Sequence, residues 1–288
     1  MNQFSVENLG SPKDLGEDNN NIDNNNSSPS DLMENDETQI LQGVSLKANL
    51  PNVNVPEKII LCIDVCIADQ SAVYRLADGT TYSPLNMVKK ILEFFVHLKL
   101  AINRRTQFAF MLLKNNDVIL LSSFSSDAID VINRINLIGA VHCTTATFDF
   151  TKVFDALTHA ITIPEFNEQT VLPPPYVVRM IVLYGRSKCL PQIPMSDHYS
   201  SIKNQSYLFI DILLMHDEDC NENDCEKIYD ALQNLDTGYS YVFEVSRNAT
   251  KAHDCMAKLL AHPLQRPLQK HTKYTFDGYS DDRAPVKV

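Results

Sequence analysis

The sequence predicts an α/β fold: an open, mostly parallel sheet with helices on both faces and one antiparallel edge strand. Three observations lead there. The runs Lys58–Val65, Val177–Tyr184 and Tyr207–Met215 are apolar nearly throughout and do not alternate with polar residues, which marks strands buried on both faces. Between such runs lie stretches of helical length whose apolar residues recur every three or four positions. The runs Gln107–Leu113 and Val118–Leu121 are separated only by a turn at Asn115–Asn116–Asp117, so they form a hairpin and set one strand antiparallel.

Residues 1–52 read as an acidic, Asn-rich tail. Asn19–Asn20–Asn21 and Asn24–Asn25–Asn26 form short runs, and no aromatic follows Phe4 within it. Such a composition buries too little surface to offset chain entropy, so disorder is expected. Ser28, followed by Pro29, is a candidate phosphorylation site there. One domain is expected over 53–263, and its first strand ends at Asp64. A polar loop runs to Tyr82. Ser83–Pro84 then supplies an N-cap and a proline at the first helical position. Val88, Ile91, Leu92, Phe95 and Leu98 mark the apolar stripe of a helix reaching Ile102. After the hairpin, Ser126–Asp127 starts a helix with Ala128, Val131, Ile132 and Ile135 on one face. The loop Cys143–Thr147 leads to a helix from Phe150 to Ile161, which Pro164 ends. Pro173–Pro174–Pro175–Tyr176 is a stiff, extended entry to the strand Val177–Tyr184. Beyond the strand Tyr207–Met215 and the acidic turn Asp217–Asp224 come a helix over Glu226–Leu235, an aromatic strand Tyr239–Val245, and a last helix carrying Ala252, Met256, Leu259 and Leu260. It stops near Pro263, and residues 264–288 read as an extended tail.

Several function classes are excluded. The 25 basic and 36 acidic residues give a net charge of −11, which is the wrong field for phosphate, so no direct nucleic-acid partner is expected. No run approaches the length of a membrane helix, and the N-terminus lacks the basic flank and apolar core of a signal peptide. An intracellular chain with no membrane partner is therefore expected. The seven cysteines include no CxxC pair and read as buried free thiols. His216, Cys220 and Cys225 lie close in sequence but offer no fourth zinc ligand. Neither GxGxxG, the P-loop, HExxH nor G-x-S-x-G occurs, so the common phosphate cradles, metalloprotease helices and serine nucleophiles are missing. Cys143 beside His142 is the one nucleophile candidate. Adjacent side chains rarely face each other and no orienting acid is implied. The expectation is no enzyme and no cofactor.

In open α/β sheets, ligands gather at the carboxyl ends of the strands, where Asp64 sits. The pattern resembles the von Willebrand factor A fold, whose metal site carries Asp-x-Ser-x-Ser after the first strand, a Thr from a later loop and an Asp after the next central strand. Here Asp64–Val65–Cys66–Ile67–Ala68 keeps the Asp but has Cys66 and Ala68 at the serine positions. Thr144 or Thr145 stands for the Thr, and Leu183–Tyr184–Gly185–Arg186 has no Asp. A hard cation has lost most of its oxygen ligands, and Arg186 brings positive charge instead. The site reads as degenerate and metal-free.

Two stretches are more specific. Pro173–Pro174–Pro175–Tyr176–Val177–Val178–Arg179 and Cys255–Met256–Ala257–Lys258–Leu259–Leu260–Ala261–His262–Pro263–Leu264–Gln265–Arg266–Pro267 resemble the von Willebrand A-like scaffold subunits of deubiquitinating complexes, the BRISC and BRCA1-A complex member 1 family (MERIT40/NBA1 type). Pro56–Asp64 fits the family's first strand. The family's N-terminal tankyrase-type motif needs an arginine, and the first arginine here is Arg75, so the resemblance stops short of the tail.

The resemblance implies a non-catalytic scaffold or adaptor. It would bind the BRE-type ubiquitin-fold scaffold subunit and, through it, a zinc metalloprotease deubiquitinase and its Abraxas-type partner. Those assemblies cut ubiquitin chains linked through lysine sixty-three, in the DNA double-strand-break response and in the cytoplasm, so both cytoplasm and nucleus are expected. Candidate partner-binding residues are Pro173, Pro174, Pro175, Tyr176 and Arg179, with Pro263, Leu264, Gln265, Arg266 and Pro267. A pre-ordered proline run loses little entropy on docking, and Tyr and Arg are frequent interface anchors. The rival reading is a metal-dependent von Willebrand A-type adhesion domain that binds an acidic ligand.

Overall fold

The computed structural model describes residue 47 and residues 50–67, 73–76, 78–121, 123–166, 172–217 and 224–272. One sheet contains β1 (Glu57–Asp64), β2 (Gln107–Lys114), β3 (Asp117–Leu120), β4 (Val177–Tyr184), β5 (Leu208–Met215) and β6 (Val242–Val245). Their spatial order is β6-β5-β4-β1-β2-β3. Neighbours are parallel except β3, which runs antiparallel to β2. The helices are α1 (Pro84–Ile102), α2 (Ala128–Leu137), α3 (Thr151–Ala160), α4 (Asp197–Lys203), α5 (Cys225–Gln233) and α6 (Ala249–Lys258). The predicted fold class is the one observed.

Each face of the sheet has its own core. Ile59, Leu61 and Ile63 of β1 pack with Ile91 and Phe95 of α1, Val131 and Ile135 of α2, and Met256 of α6. Ile60 and Cys62 point the other way, toward Phe154 and Leu157 of α3, Ile202 of α4, and Ile228 and Leu232 of α5. Burial on both sides is why these strands do not alternate. Each fully buried Ile or Leu stabilises by about 1.5–3 kcal/mol over an exposed one, so the central strands dominate the choice of fold.

Local signals place the helices. Pro84 occupies the first turn of α1 and Leu85, Val88, Leu92, Phe95 and Val96 are buried along it. The Asp127 carboxylate accepts the Ile129 N–H at 2.9 Å and starts α2, satisfying a donor that the helix leaves unpaired. From β1 the chain moves outward to β2 and β3. It then crosses back to β4 on the other side of β1 and continues to β5 and β6. The order reverses between β1 and β4, so their carboxyl ends frame the crevice where such sheets hold ligands.

Four features depart from expectation. Helix α4 buries only Ile202, too little to leave an apolar stripe in the sequence. Strand β6 starts at Val242 rather than Tyr239, because the Asp236 carboxylate accepts the N–H groups of Gly238 at 2.7 Å and Ser240 at 3.3 Å and curls the chain there. Gly238 takes a φ of 78° in that turn, which glycine adopts without steric cost. The boundary expected at 263/264 does not end the packed chain. The Tyr241 hydroxyl donates to the Pro267 carbonyl at 2.8 Å. The Gln269 side-chain amide exchanges two hydrogen bonds with the Val242 backbone, at 2.8 and 2.9 Å, and so occupies the outer edge of β6. Finally, Lys47 belongs to the expected tail, yet it is buried and donates to the Leu208 carbonyl at 2.7 Å and the Thr237 hydroxyl at 3.2 Å. Residues 1–46, with Ser28, and 273–288 lie outside the described residues.

Candidate functional site

Asp64 is the last residue of β1, and Gly185–Arg186 leave β4 beside it across the switch point. One carboxylate oxygen accepts the Cys66 N–H at 3.0 Å, the other the Gly185 N–H at 3.1 Å. Arg186 Nε donates to both oxygens, at 2.9 and 3.1 Å. Its Nη1 donates to the Asn115 carbonyl, and the guanidinium lies over the Phe148 ring at 4.8 Å. Both Asp64 and Arg186 are buried. The crevice is thus filled by a cation that the chain itself supplies.

Asn115 completes the floor and sequence reasoning missed it, reading the Asn–Asn–Asp run as a turn only. Its φ is 50°, a left-handed conformation that Asn tolerates better than most residues. That backbone turns the carbonyl toward Arg186, and the side-chain carbonyl accepts the Thr144 N–H at 3.0 Å. The Asn115 N–H meets Cys66 Sγ at 2.8 Å.

The threonines expected beside Asp64 are engaged through other groups. Thr144 contributes its backbone N–H rather than its hydroxyl, and the Thr145 hydroxyl faces Cys189 Sγ at 3.9 Å. Ala68 lies outside the described residues. Among the described residues, no group of three or more His, Cys, Asp or Glu side chains is arranged to hold a metal. His216 instead approaches Glu244 at 3.2 Å, Cys225 is buried, and Cys220 lies outside the described residues. Cys143 Sγ donates to the Thr145 carbonyl at 3.5 Å, with His142 exposed next to it.

Charge in the crevice follows from burial. Desolvation pushes the Asp64 carboxyl up, while Arg186 and the two backbone N–H donors pull against it. Burial also works against the Arg186 charge, but Asp64 outweighs it and holds the guanidinium above its ordinary value. Arg186 therefore stays charged beside Asp64.

A second ionic cluster lies at the opposite end of the strands, on the α1 and α6 side. Arg179 Nη1 meets Glu57 at 3.2 Å and its Nε meets Asp211 at 2.8 Å. Lys99 pairs with the other Glu57 oxygen. Arg266 grips Asp211 with both terminal nitrogens, at 2.9 and 2.5 Å, donates to the Tyr239 carbonyl at 2.8 Å, and stacks on the Tyr241 ring at 4.0 Å. Burial pushes the Asp211 carboxyl up, but Arg266 and Arg179 more than reverse it and hold it below the usual carboxylate range. Glu57 is likewise held low by Lys99 and Arg179 against its own burial.

Comparison with known proteins places this architecture. No family model matches the chain. The chain is 32% identical over 229 residues to BRISC and BRCA1-A complex member 1 of Xenopus laevis, covering 78% of this chain and 69% of that one. The Bos taurus protein of the same name is 32% identical over 251 residues, covering 84% and 74%. The chain belongs to the BRISC and BRCA1-A complex member 1 family. The Homo sapiens member is 31% identical over 246 residues, covering 83% of this chain and 73% of that one. Among solved structures, the VWA domain of SpRpn10 aligns with a TM-score of 0.43 at 13% identity, covering 75% of this chain and 100% of that one. The PilB minor pilin from Streptococcus sanguinis aligns at 0.46 and 8%, covering 75% and 63%. At those scores the strand order itself, not the overlap, carries the fold assignment.

Within this family member, the two stretches that carried the resemblance are used largely inside the chain. Arg179 is 0% exposed and Arg266 7%, so neither is the free anchor that its position suggested. Each neutralises a buried carboxylate whose loss of partner would leave an uncompensated charge. Tyr176 is half-buried, donates to the Thr162 carbonyl at 2.7 Å and carries Lys58 over its ring at 4.0 Å. Pro174 and Pro263 are buried, and Leu264 is half-buried. Pro173, Pro175, Gln265 and Pro267 remain exposed. The structure thus separates the expected contact set into a core group and an accessible group.

Proposed function

We propose that this chain is a non-catalytic scaffold subunit of BRISC- and BRCA1-A-type assemblies, and that it binds the BRE-type subunit without a metal ion. The observation that carries the reading is Arg186 seated on Asp64. The crevice in which an open α/β sheet would hold a ligand is filled from within, and this leaves the outer surface as the place where the protein acts. The names of its relatives, as members of two complexes, support a role in assembly. On this reading the chain keeps intact an enzyme complex that cleaves ubiquitin chains linked through lysine sixty-three, with its zinc metalloprotease and Abraxas-type subunits reached through the BRE-type subunit. Both cytoplasm and nucleus are its compartments.

The test is co-expression of the full chain with the BRE-type subunit, followed by size-exclusion chromatography with magnesium and again with a chelator. Co-elution in both buffers is the expected result. Separate elution of a folded chain overturns the scaffold role, and co-elution only with magnesium overturns metal independence.

A further inference from the structure

The chain enters the domain along a short strap. The Leu50 N–H donates to the Lys47 carbonyl at 3.2 Å and the Val53 N–H to the Pro51 carbonyl at 3.0 Å. Leu50 and Val53 are half-buried against the core that also holds Leu208 and Leu264. Beyond them Val55 is buried, its carbonyl accepts from the His262 ring at 3.1 Å, and the chain runs into β1. Ahead of them stands the Lys47 fastening. Lys47 is 2% exposed. Its amine reaches 161 residues along the chain to the Leu208 carbonyl, at 2.7 Å, and 190 residues to the Thr237 hydroxyl, at 3.2 Å.

Both of those acceptors are neutral, a carbonyl and a hydroxyl. An uncharged amine has two N–H donors, which these two acceptors satisfy. The ammonium has three, and the neighbour left to meet the third is the Phe209 ring, 5.0 Å from the nitrogen. The charged groups that face the amine are Asp236 in the turn before β6, Asp211 on β5, Arg266 beyond α6 and Lys203 at the end of α4. They are two carboxylates and two cations, and their fields oppose one another. Burial outweighs them all and favours the uncharged form.

We infer that Lys47 is a proton-controlled latch: uncharged, its amine holds the strap against the start of β5 and the Thr237 turn, and once charged it lets the strap open while the sheet stays folded. The opening is local. Apart from the amine, Leu50 and Val53 hold the strap by half-buried contacts, whereas the strands behind it are buried on both faces. Arg266 is among the groups facing the latch, so the latch governs how the chain ahead of the domain is presented beside Gln265 and Pro267. It does not depend on the scaffold reading. The direction with pH follows from linkage. In the open strap the amine has its ordinary value of 10.5, and in the closed one about 7. The open form binds the extra proton between those values. Opening therefore becomes about tenfold easier for each unit that the pH falls within that window, and levels off below it.

The experiment is amide hydrogen exchange by NMR on the full chain, from about pH 6 to about pH 9, with Lys47→Met beside the wild type. Exchange of an opened amide is base-catalysed and speeds up about tenfold per pH unit. In the wild type that gain and the falling population of the open strap cancel above about pH 7. The expected Leu50 rate is therefore nearly flat there, and about a hundredfold or more above that of Ile60 in β1, which exchanges only through larger openings. Methionine fills the same space without titrating, so in the variant the Leu50 rate climbs about tenfold per unit over the whole range. A wild-type Leu50 rate that climbs as steeply as the variant's overturns the latch, because the amine then does not titrate with opening. Leu50 exchange as slow as that of Ile60 overturns it too, because the strap then opens only with the whole domain.

Discussion

Arg186→Met is the sharpest probe of the closed crevice. It removes both contacts to Asp64, at 2.9 and 3.1 Å, the bond to the Asn115 carbonyl and the stacking on Phe148 at 4.8 Å. Asp64 keeps two backbone donors but loses the one counter-ion it has in the crevice among the described residues. Removing one partner of a buried ion pair costs about 3–5 kcal/mol, and an orphaned carbonyl adds about 1–3 kcal/mol. Methionine packing recovers part of that, leaving a loss of about 4 kcal/mol, a large share of a domain stability of about 5–15 kcal/mol. The loss depends on pH. Burial already pushes the Asp64 carboxyl up, and without Arg186 it rises further. The folded variant then binds more protons than the unfolded chain between the ordinary carboxylate value, about 3.9, and the raised one. Stability therefore falls across that window as pH rises. The deficit is small near pH 4 and grows toward neutrality. Urea unfolding followed by circular dichroism, at several pH values, measures it. Asp64→Asn on the Arg186→Met background should recover about 2 kcal/mol at neutral pH, since an amide no longer buries a charge. A deficit under about 1 kcal/mol, or one constant with pH, refutes the account.

Millimolar magnesium should leave the melting temperature of the wild-type chain unchanged. A ligand at one hundred times its Kd adds about 2.7 kcal/mol, so a shift of several degrees would restore the metal-dependent adhesion reading. Arg266→Met should cost about 3 kcal/mol by denaturant titration, because Asp211 stays buried with Arg179 as its remaining cation; a variant of wild-type stability contradicts the assignment of Arg266 to the core. Burial lowers the Lys47 amine to about 7, against an ordinary 10.5. The unfolded chain then binds the extra proton between those values, so this contribution to stability grows as pH rises from about 7 toward 10.5 and is lost below about 7. Lys47→Met should flatten that slope, and an unchanged slope removes the claim.

The fold was legible because its determinants are local. Apolar runs without alternation gave β1, β4 and β5, and a proline with a stripe at helical spacing gave α1. The positive charge that Arg186 brings beside Asp64 was legible, since the residues leaving the strand Val177–Tyr184 are Gly185 and Arg186. The status of Arg179 and Arg266 was not legible. A buried arginine and an exposed one look alike in sequence, and Glu57, Asp211 and Arg266 lie on separate elements that only the folded sheet brings together. Asn115 was hidden for a related reason. Its role depends on the direction in which a left-handed turn aims one carbonyl. Gln269 left no signal either, because pairing an amide side chain with a strand edge obeys no periodicity.

A bound ion comes and goes with its concentration, and whatever shape depends on it does the same. The guanidinium on Asp64 is tethered to the same polypeptide, so it has no bulk concentration and no dissociation into solvent. Chelation cannot remove it. The pair is a fixed fastening between two neighbouring strands, set once at folding and identical in every copy. Buried as it is, the pair is also little screened by salt.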